Sequence, residues 1–137
     1  MSYGLVLEGG AMRGIYTAGV LDVLMEREIV VDGVIGVSAG ALYGCSYVSG
    51  QIKRSIRYTF KYRSDRHFMG LYSLIRTGDI VGEEFCYHTI PEKLDPFDNE
   101  ALKASNTKFY VTCTNVETGK AEYIHCTDLF EQIEYLR

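Results

Sequence analysis

No run of about eighteen apolar residues occurs in these 137 residues, so no segment is fit to cross a bilayer as a helix. The start, Met1-Ser2-Tyr3, carries no basic cluster, and Glu8 interrupts the first apolar stretch, so the marks of a secretory leader are missing too. Both absences lead to an expectation of a cytoplasmic protein. Cysteine is sparse. Cys45, Cys86, Cys113 and Cys126 follow neither metal-binding nor disulfide-framework spacing and read as reduced thiols, although a hairpin would bring Cys113 and Cys126 face to face. Excess positive charge is lacking as well, since the net charge is −4, which argues against nucleic acid as a partner. There is no repeat, linker or low-complexity tract. What is present, a hydrophobic fraction of 47%, suits one domain with a real core.

The charge is unevenly placed. Residues 1–50 carry five acids and two bases, residues 51–82 two acids and seven bases, and residues 83–137 eleven acids and five bases. The middle block alone is cationic.

Tyr3-Gly4-Leu5-Val6-Leu7 is short, apolar and closed by Gly9-Gly10, which predicts a buried strand. Ile15, Ala18, Leu21, Leu24 and Met25 then recur at helical spacing through Arg27. Val34-Ile35-Gly36-Val37 predicts a second strand, and Ala39 to Val48 a buried helix. Strand, turn, helix repeated in this way predicts an α/β fold with a mainly parallel sheet and right-handed crossovers. A basic helix is expected from Gln51 to about Arg66, and a short one from Gly82 to Thr89, with Pro91 and Pro96 breaking the chain beyond it. Asp98 suits an N-cap for Asn99 to Ala104, and Asp128 one for Leu129 to Arg137. Lys108–Thr114 and Ala121–Cys126 alternate as strands do, and Asn115–Lys120 would join them as a hairpin.

Two turns carry chemistry. Gly36-Val37-Ser38-Ala39-Gly40 is G-x-S-x-G between a strand and a helix, the setting in which a serine projects from a tight, strained turn. Glycines on either side keep strand and helix from colliding, and the helix start aims amide donors at the site. Gly9-Gly10-Ala11-Met12-Arg13-Gly14 also lies between strand and helix, and its glycines let backbone N–H groups approach a carbonyl oxygen as an oxyanion hole. The alternative for this second turn is a phosphate loop. It has neither G-x-G-x-x-G nor the lysine of a P-loop.

Together, Leu5 to Leu21, with the G-G-x-x-R-G motif, and Val34 to Leu42, with the G-x-S-x-G elbow, resemble the opening of patatin-like phospholipases of the bacterial cytoplasmic type. That resemblance implies a three-layer α/β/α fold and a Ser–Asp dyad hydrolysing lipid esters with no metal or cofactor. Ser38 is then the nucleophile, and Gly9, Gly10, Ala11, Met12, Arg13 and Gly14 form the oxyanion loop. Gly36, Val37, Ala39 and Gly40 shape the elbow. Arg13 would either be structural or favour an anionic head group. The family's aspartate belongs to an Asp-Gly turn C-terminal to the serine, and none follows Ser38 here. Asp32-Gly33 precedes it, at the wrong end of the sheet. The 137 residues are therefore expected to be the N-terminal part of one such domain, inactive in isolation. His67, His88 and His125, and Asp65 and Asp79, are the remaining candidates for a base.

Lys53, Arg54, Arg57, Lys61, Arg63 and Arg66 are interleaved with Tyr58, Phe60 and Tyr62. This stretch, residues 53–66, either meets an anionic membrane surface or is a solvated basic helix with aromatics packed on the sheet. The partner expected at the site is a lipid or other acyl ester. A non-catalytic lipid-binding chain of the same fold is the competing reading.

Overall fold

A computed structural model describes residues 2–136. Four strands form one sheet in the order β1-β2-β3-β4: β1 (Gly4–Leu7), β2 (Gly33–Gly36), β3 (Lys108–Thr114) and β4 (Ala121–His125). The first three are parallel, with Leu7 opposite Gly36 and Gly36 opposite Val111, and β4 returns antiparallel to β3. The α/β class and the mainly parallel sheet agree with the expectation.

The helix α2 (Ala39–Val48) explains how the sheet acquires its core. Its residues are buried almost all round, as befits a helix apolar on every side. Small residues let it lie close to the strands. A Cβ at Gly44 would stand 3.0 Å from Leu7 Cδ1 and 3.1 Å from Phe109 Cε2. Leu7, Val34, Phe109 and Val111 form the floor beneath it. On the opposite face of the sheet Val6 and Tyr123 are exposed, and no described helix covers them. Before α2, α1 (Ile15–Glu26) packs on α2 and on α3 (Arg54–Tyr62).

Residues 67–97 depart most from the expectation. A helix not foreseen, α4 (Leu71–Thr77), stands between Gly70 and Gly78. The next helix does not end before Pro91. It runs Glu84–Leu94 in the wider π form, closing with Asp95 N–H donating to the Ile90 carbonyl at 2.8 Å. A proline ring collides with the preceding turn of an α-helix, and the wider turn relieves that collision.

The C-terminal half is pinned by caps the sequence announces. Asp98 accepts from Ala101 N–H at 2.9 Å and starts α5 (Asn99–Ala104). Asp128 accepts from Glu131 N–H and starts α6 (Leu129–Gln132), which continues as a 3-10 turn, Ile133–Tyr135; Arg137 lies outside the described residues. Cys113 stands opposite Glu122 rather than Cys126, which lies just past β4, and all four cysteines are free thiols.

Lys103 Nζ lies 2.7 Å from Asp128 Oδ2 and, with the backbone cap, holds this carboxyl down at about 2. A carboxyl lowered by folding contributes stability above its unfolded value of about 3.9, lost as pH falls through the folded one. Urea midpoints should therefore drop between pH 4 and pH 2. Asp128→Asn, which keeps the cap and loses the charge, should flatten that drop; an equally steep loss in the variant would remove Asp128 as its cause.

Candidate active site

Both glycine-bearing turns emerge at the C-terminal ends of adjacent parallel strands, where open α/β sheets bind ligands. β2 ends at Gly36, and Ser38 caps α2 with φ 51° and ψ −122°, a conformation that side chains other than glycine rarely adopt. Its surroundings hold it there. Val37 N–H donates to the Leu7 carbonyl at 3.0 Å, and the Ser38 carbonyl accepts from Ala41 N–H at 2.8 Å. A Cβ at Gly36 would fall 2.5 Å from Ala41 Cα, and one at Gly40 would collide with the Leu7 and Glu8 carbonyls. Those two glycines are steric necessities of the turn, and Ser38 is left exposed at its tip.

The other turn lies against it. A Cβ at Gly9 would stand 3.3 Å from Ser38 Cβ, so the two turns touch where that side chain is absent. Residues Ala11–Gly14 form a single 3-10 turn, with Ala11 at φ 46° and Arg13 N–H donating to the Gly10 carbonyl at 3.0 Å. Among the described residues, the amides of Gly9, Gly10 and Ala39 donate to no backbone carbonyl. Gly14 is buried at the base of the turn, where a Cβ would fall 2.7 Å from Tyr43 Cε2. The Arg13 side chain is exposed and folds back over Gly10, with Nη2 3.3 Å from where a Cβ there would stand.

From Ser38 a cavity of about 120 Å³ runs inward. Ala11, Met12 and Ala39 form its mouth with Ser38, and Leu42, Tyr43, Tyr58, Phe68, Met69, Val81, Cys86 and Tyr87 are among the residues that wall it. None of its described lining residues is a carboxylate or a histidine. Three of its titratable groups, Tyr43, Tyr58 and Cys86, are held neutral. Burial pushes the Tyr43 and Tyr58 hydroxyls up, and the Cys86 thiol up to about 12 while it donates to the Phe68 carbonyl at 3.1 Å. None of these three can take a proton from Ser38 at neutral pH.

The other candidate bases stand elsewhere. His67 Nδ1 lies 2.9 Å from Asp65 Oδ1 in a separate groove lined by Tyr72 and Arg76. His88 sits 3.4 Å from Glu92, and His125 stacks on Tyr110 on the outer strand. Asp79 accepts from Val81 N–H. Asp32 accepts from Tyr3 N–H at 2.7 Å at the start of β2, the opposite end of the sheet from Ser38. The apolar walls contributed by residues 68–87 were not legible as site residues, because nothing in their spacing links Phe68, Met69, Val81 and Cys86 to a serine thirty to fifty positions earlier.

The cationic stretch 53–66 divides. Arg54 is 4% exposed and so belongs to the interior, Arg57 is half exposed but pairs bidentately with Asp95 at 2.7 Å, and Lys53 meets Glu26 at 3.3 Å. Lys61, Arg63 and Arg66 remain exposed.

A family model described as Patatin-like phospholipase matches residues 5–130. The Escherichia coli (strain K12) protein named Uncharacterized protein YjjU is 35% identical over 78 residues, 56% of this chain and 22% of its own length. Lysophospholipase nte1 of Aspergillus niger is 30% identical over 128 residues, which is 89% of this chain and 8% of the relative. The protein of the same name from Emericella nidulans is 32% identical over 126 residues, again 8% of its length. The chain thus spans less than a quarter of each of these curated relatives. No solved structure matches it.

Proposed function

The chain belongs to the patatin-like phospholipase family, and from that premise we propose that it carries the nucleophile and the oxyanion loop of a serine lipid acyl hydrolase. The observation that supports this most is the contact of the two turns: Gly9 lies against Ser38 at the mouth of a neutral, apolar cavity. In this reading the Ser38 hydroxyl attacks an acyl carbonyl, and the N–H groups of Gly9, Gly10 and Ala39, which have no backbone acceptor among the described residues, receive the oxyanion. A donor of that kind contributes about 3–4 kcal/mol to the transition state. The alkoxide leaves with a proton, and water then releases the acyl group from Ser38. The cavity takes the acyl chain, and each methylene buried there adds about 0.8 kcal/mol of binding.

The base remains to be supplied. Serine is a weak nucleophile without one, and neither the cavity nor any Asp-Gly turn after Ser38 provides it. The reading therefore assigns the base to an aspartate beyond Arg137, completing a Ser–Asp dyad. Hydrolysis of a medium-chain p-nitrophenyl ester, by these 137 residues and by the protein carried to its natural stop codon, tests this. Turnover in the longer protein alone is the expected result. No turnover in a well-folded longer protein would favour the non-catalytic, lipid-binding alternative, and turnover by the 137 residues alone would show that the base lies within them.

A further inference from the structure

Short helices of soluble proteins turn their apolar side inward, and α4 does the reverse. Leu71, Leu74 and Ile75, at i, i+3 and i+4, share one face and are 69%, 42% and 78% exposed. Ser73, on the other side, is buried at 3%. Ile80, just beyond the helix, adds a fourth large apolar side chain at 54% exposure.

The excursion that carries this helix is clamped at its neck. Gly70 N–H donates to the Ile80 carbonyl at 2.8 Å, Met69 bridges Val81, and Gly82 N–H donates to the Phe68 carbonyl at 3.1 Å. Three of these neck residues, Phe68, Met69 and Val81, wall the cavity that opens at Ser38. The apolar stripe is thus mounted on the wall of the candidate active site.

The sequence on either side of it is rich in positive charge. Residues 60–80 carry Lys61, Arg63, Arg66 and Arg76 against Asp65 and Asp79. Among the described residues none of these four cations is in an ion pair. They lean on aromatic rings instead: Lys61 over Tyr62, Arg63 over Phe60, and Arg66 over Tyr72 at 4.8 Å, with Arg76 donating to the Tyr72 hydroxyl at 3.2 Å. Glu83 and Glu84 line the groove on the Tyr72 and Arg76 side of α4. An exposed apolar stripe on a helix flanked at Tyr72 by Arg66 and Arg76 matches the chemistry of an anionic bilayer surface, with hydrocarbon for the stripe and phosphate for the guanidinium groups.

We propose that α4, with Leu71, Leu74, Ile75 and Ile80, is a docking element that inserts into the headgroup layer of an anionic membrane, holding the Ser38 cavity at the lipid surface. This moves membrane contact from residues 53–66, where Arg54 is buried and Lys53 and Arg57 are paired with carboxylates, to residues 60–80. The proposal rests on the lipid-hydrolase reading for its purpose alone. Binding is read without turnover, so each can fail separately.

Sedimentation with vesicles of phosphatidylglycerol, or of phosphatidylcholine, tests it. The wild-type protein should partition onto phosphatidylglycerol, and Ser38→Ala equally well. Leu71→Ser/Ile75→Ser, on exposed positions that leave the core intact, should weaken binding about tenfold or more. Arg63→Gln/Arg66→Gln should cost about fivefold per arginine on the anionic vesicles and nothing on phosphatidylcholine. The chain has no tryptophan, so Ile75→Trp adds a sole reporter whose emission should shift to the blue on the anionic vesicles. Wild-type protein that stays in the supernatant would overturn the proposal, as would Leu71→Ser/Ile75→Ser binding at wild-type strength. A dimer that Leu71→Ser/Ile75→Ser converts to monomer, indifferent to vesicles, would assign the stripe to a second copy of the chain instead.

Discussion

Alanine at position 38 should lower kcat for a p-nitrophenyl ester by about 10⁴-fold or more in the protein carried to its natural stop codon, with KM little changed. Removing a nucleophile leaves only binding and oxyanion stabilisation, and that residue of catalysis is small. The folded state should tolerate the change, because Ser38 is exposed and its side chain fills nothing in the core. Glycine at the same position separates chemistry from strain. Ser38 is held at φ 51° and ψ −122°, and a side-chain-bearing residue in a sparse region of backbone space costs about 1–3 kcal/mol. Relief of that strain, less the greater chain entropy of glycine when unfolded, should leave Ser38→Gly about 1 kcal/mol more stable than wild type. Ser38→Gly should thus melt a few degrees higher and be as inactive as Ser38→Ala. A Ser38→Ala protein that retains even a tenth of wild-type turnover would remove Ser38 from the mechanism, and a Ser38→Gly protein that melts lower would mean the turn stores no strain.

The parts of this molecule legible in the sequence are those whose causes are local. β1, β2 and α2 could be read because Leu5 to Leu7, Val34 to Val37 and Ala39 to Val48 each carry their own pattern within ten residues. The two turns could be read because their glycines answer to immediate neighbours: Gly36 to Ala41, Gly40 to the Leu7 and Glu8 carbonyls, Gly9 to Ser38. Asp98 and Asp128 cap within three residues of themselves. What escaped has distant causes. The cavity wall is assembled by the bridge between Met69 and Val81 and by a π-helix, and neither leaves a periodic trace. α4 escaped for another reason, since its stripe faces outward and so contradicts the assumption that apolar spacing marks a core. The basic stretch looked uniform in sequence, yet burial sorts it: Arg54 faces the interior and Arg63 does not, a difference that Asp95, forty-one positions beyond Arg54, decides.

That distant carboxylate should also be the most costly side chain to remove outside the site. Asp95 is buried, accepts two hydrogen bonds from Arg57 at 2.7 Å, and lies 3.5 Å from Arg54 Nε, while Arg54 Nη2 donates to its backbone carbonyl at 2.8 Å. Arg54 is itself buried, its guanidinium 5.2 Å from the ring centres of both Tyr58 and Phe97. These contacts tie α3 to the end of the π-helix. Asp95→Ala leaves a buried guanidinium without its counter-charge, a loss of about 3–5 kcal/mol, or roughly 10–20 °C in Tm for a chain of this length. The two arginines on this one carboxylate should then differ sharply when each is removed. Arg57 is half exposed, so removing it opens the Asp95 carboxylate to water while Arg54 stays beside it, and Arg57→Ala should cost about 1 kcal/mol or less. Arg54→Ala also opens a void between two rings and should approach the cost of Asp95→Ala. Thermal unfolding of the three variants is the measurement. If Arg57→Ala proved as damaging as Asp95→Ala, the exposed arginine rather than the buried one would be what anchors α3 to the π-helix.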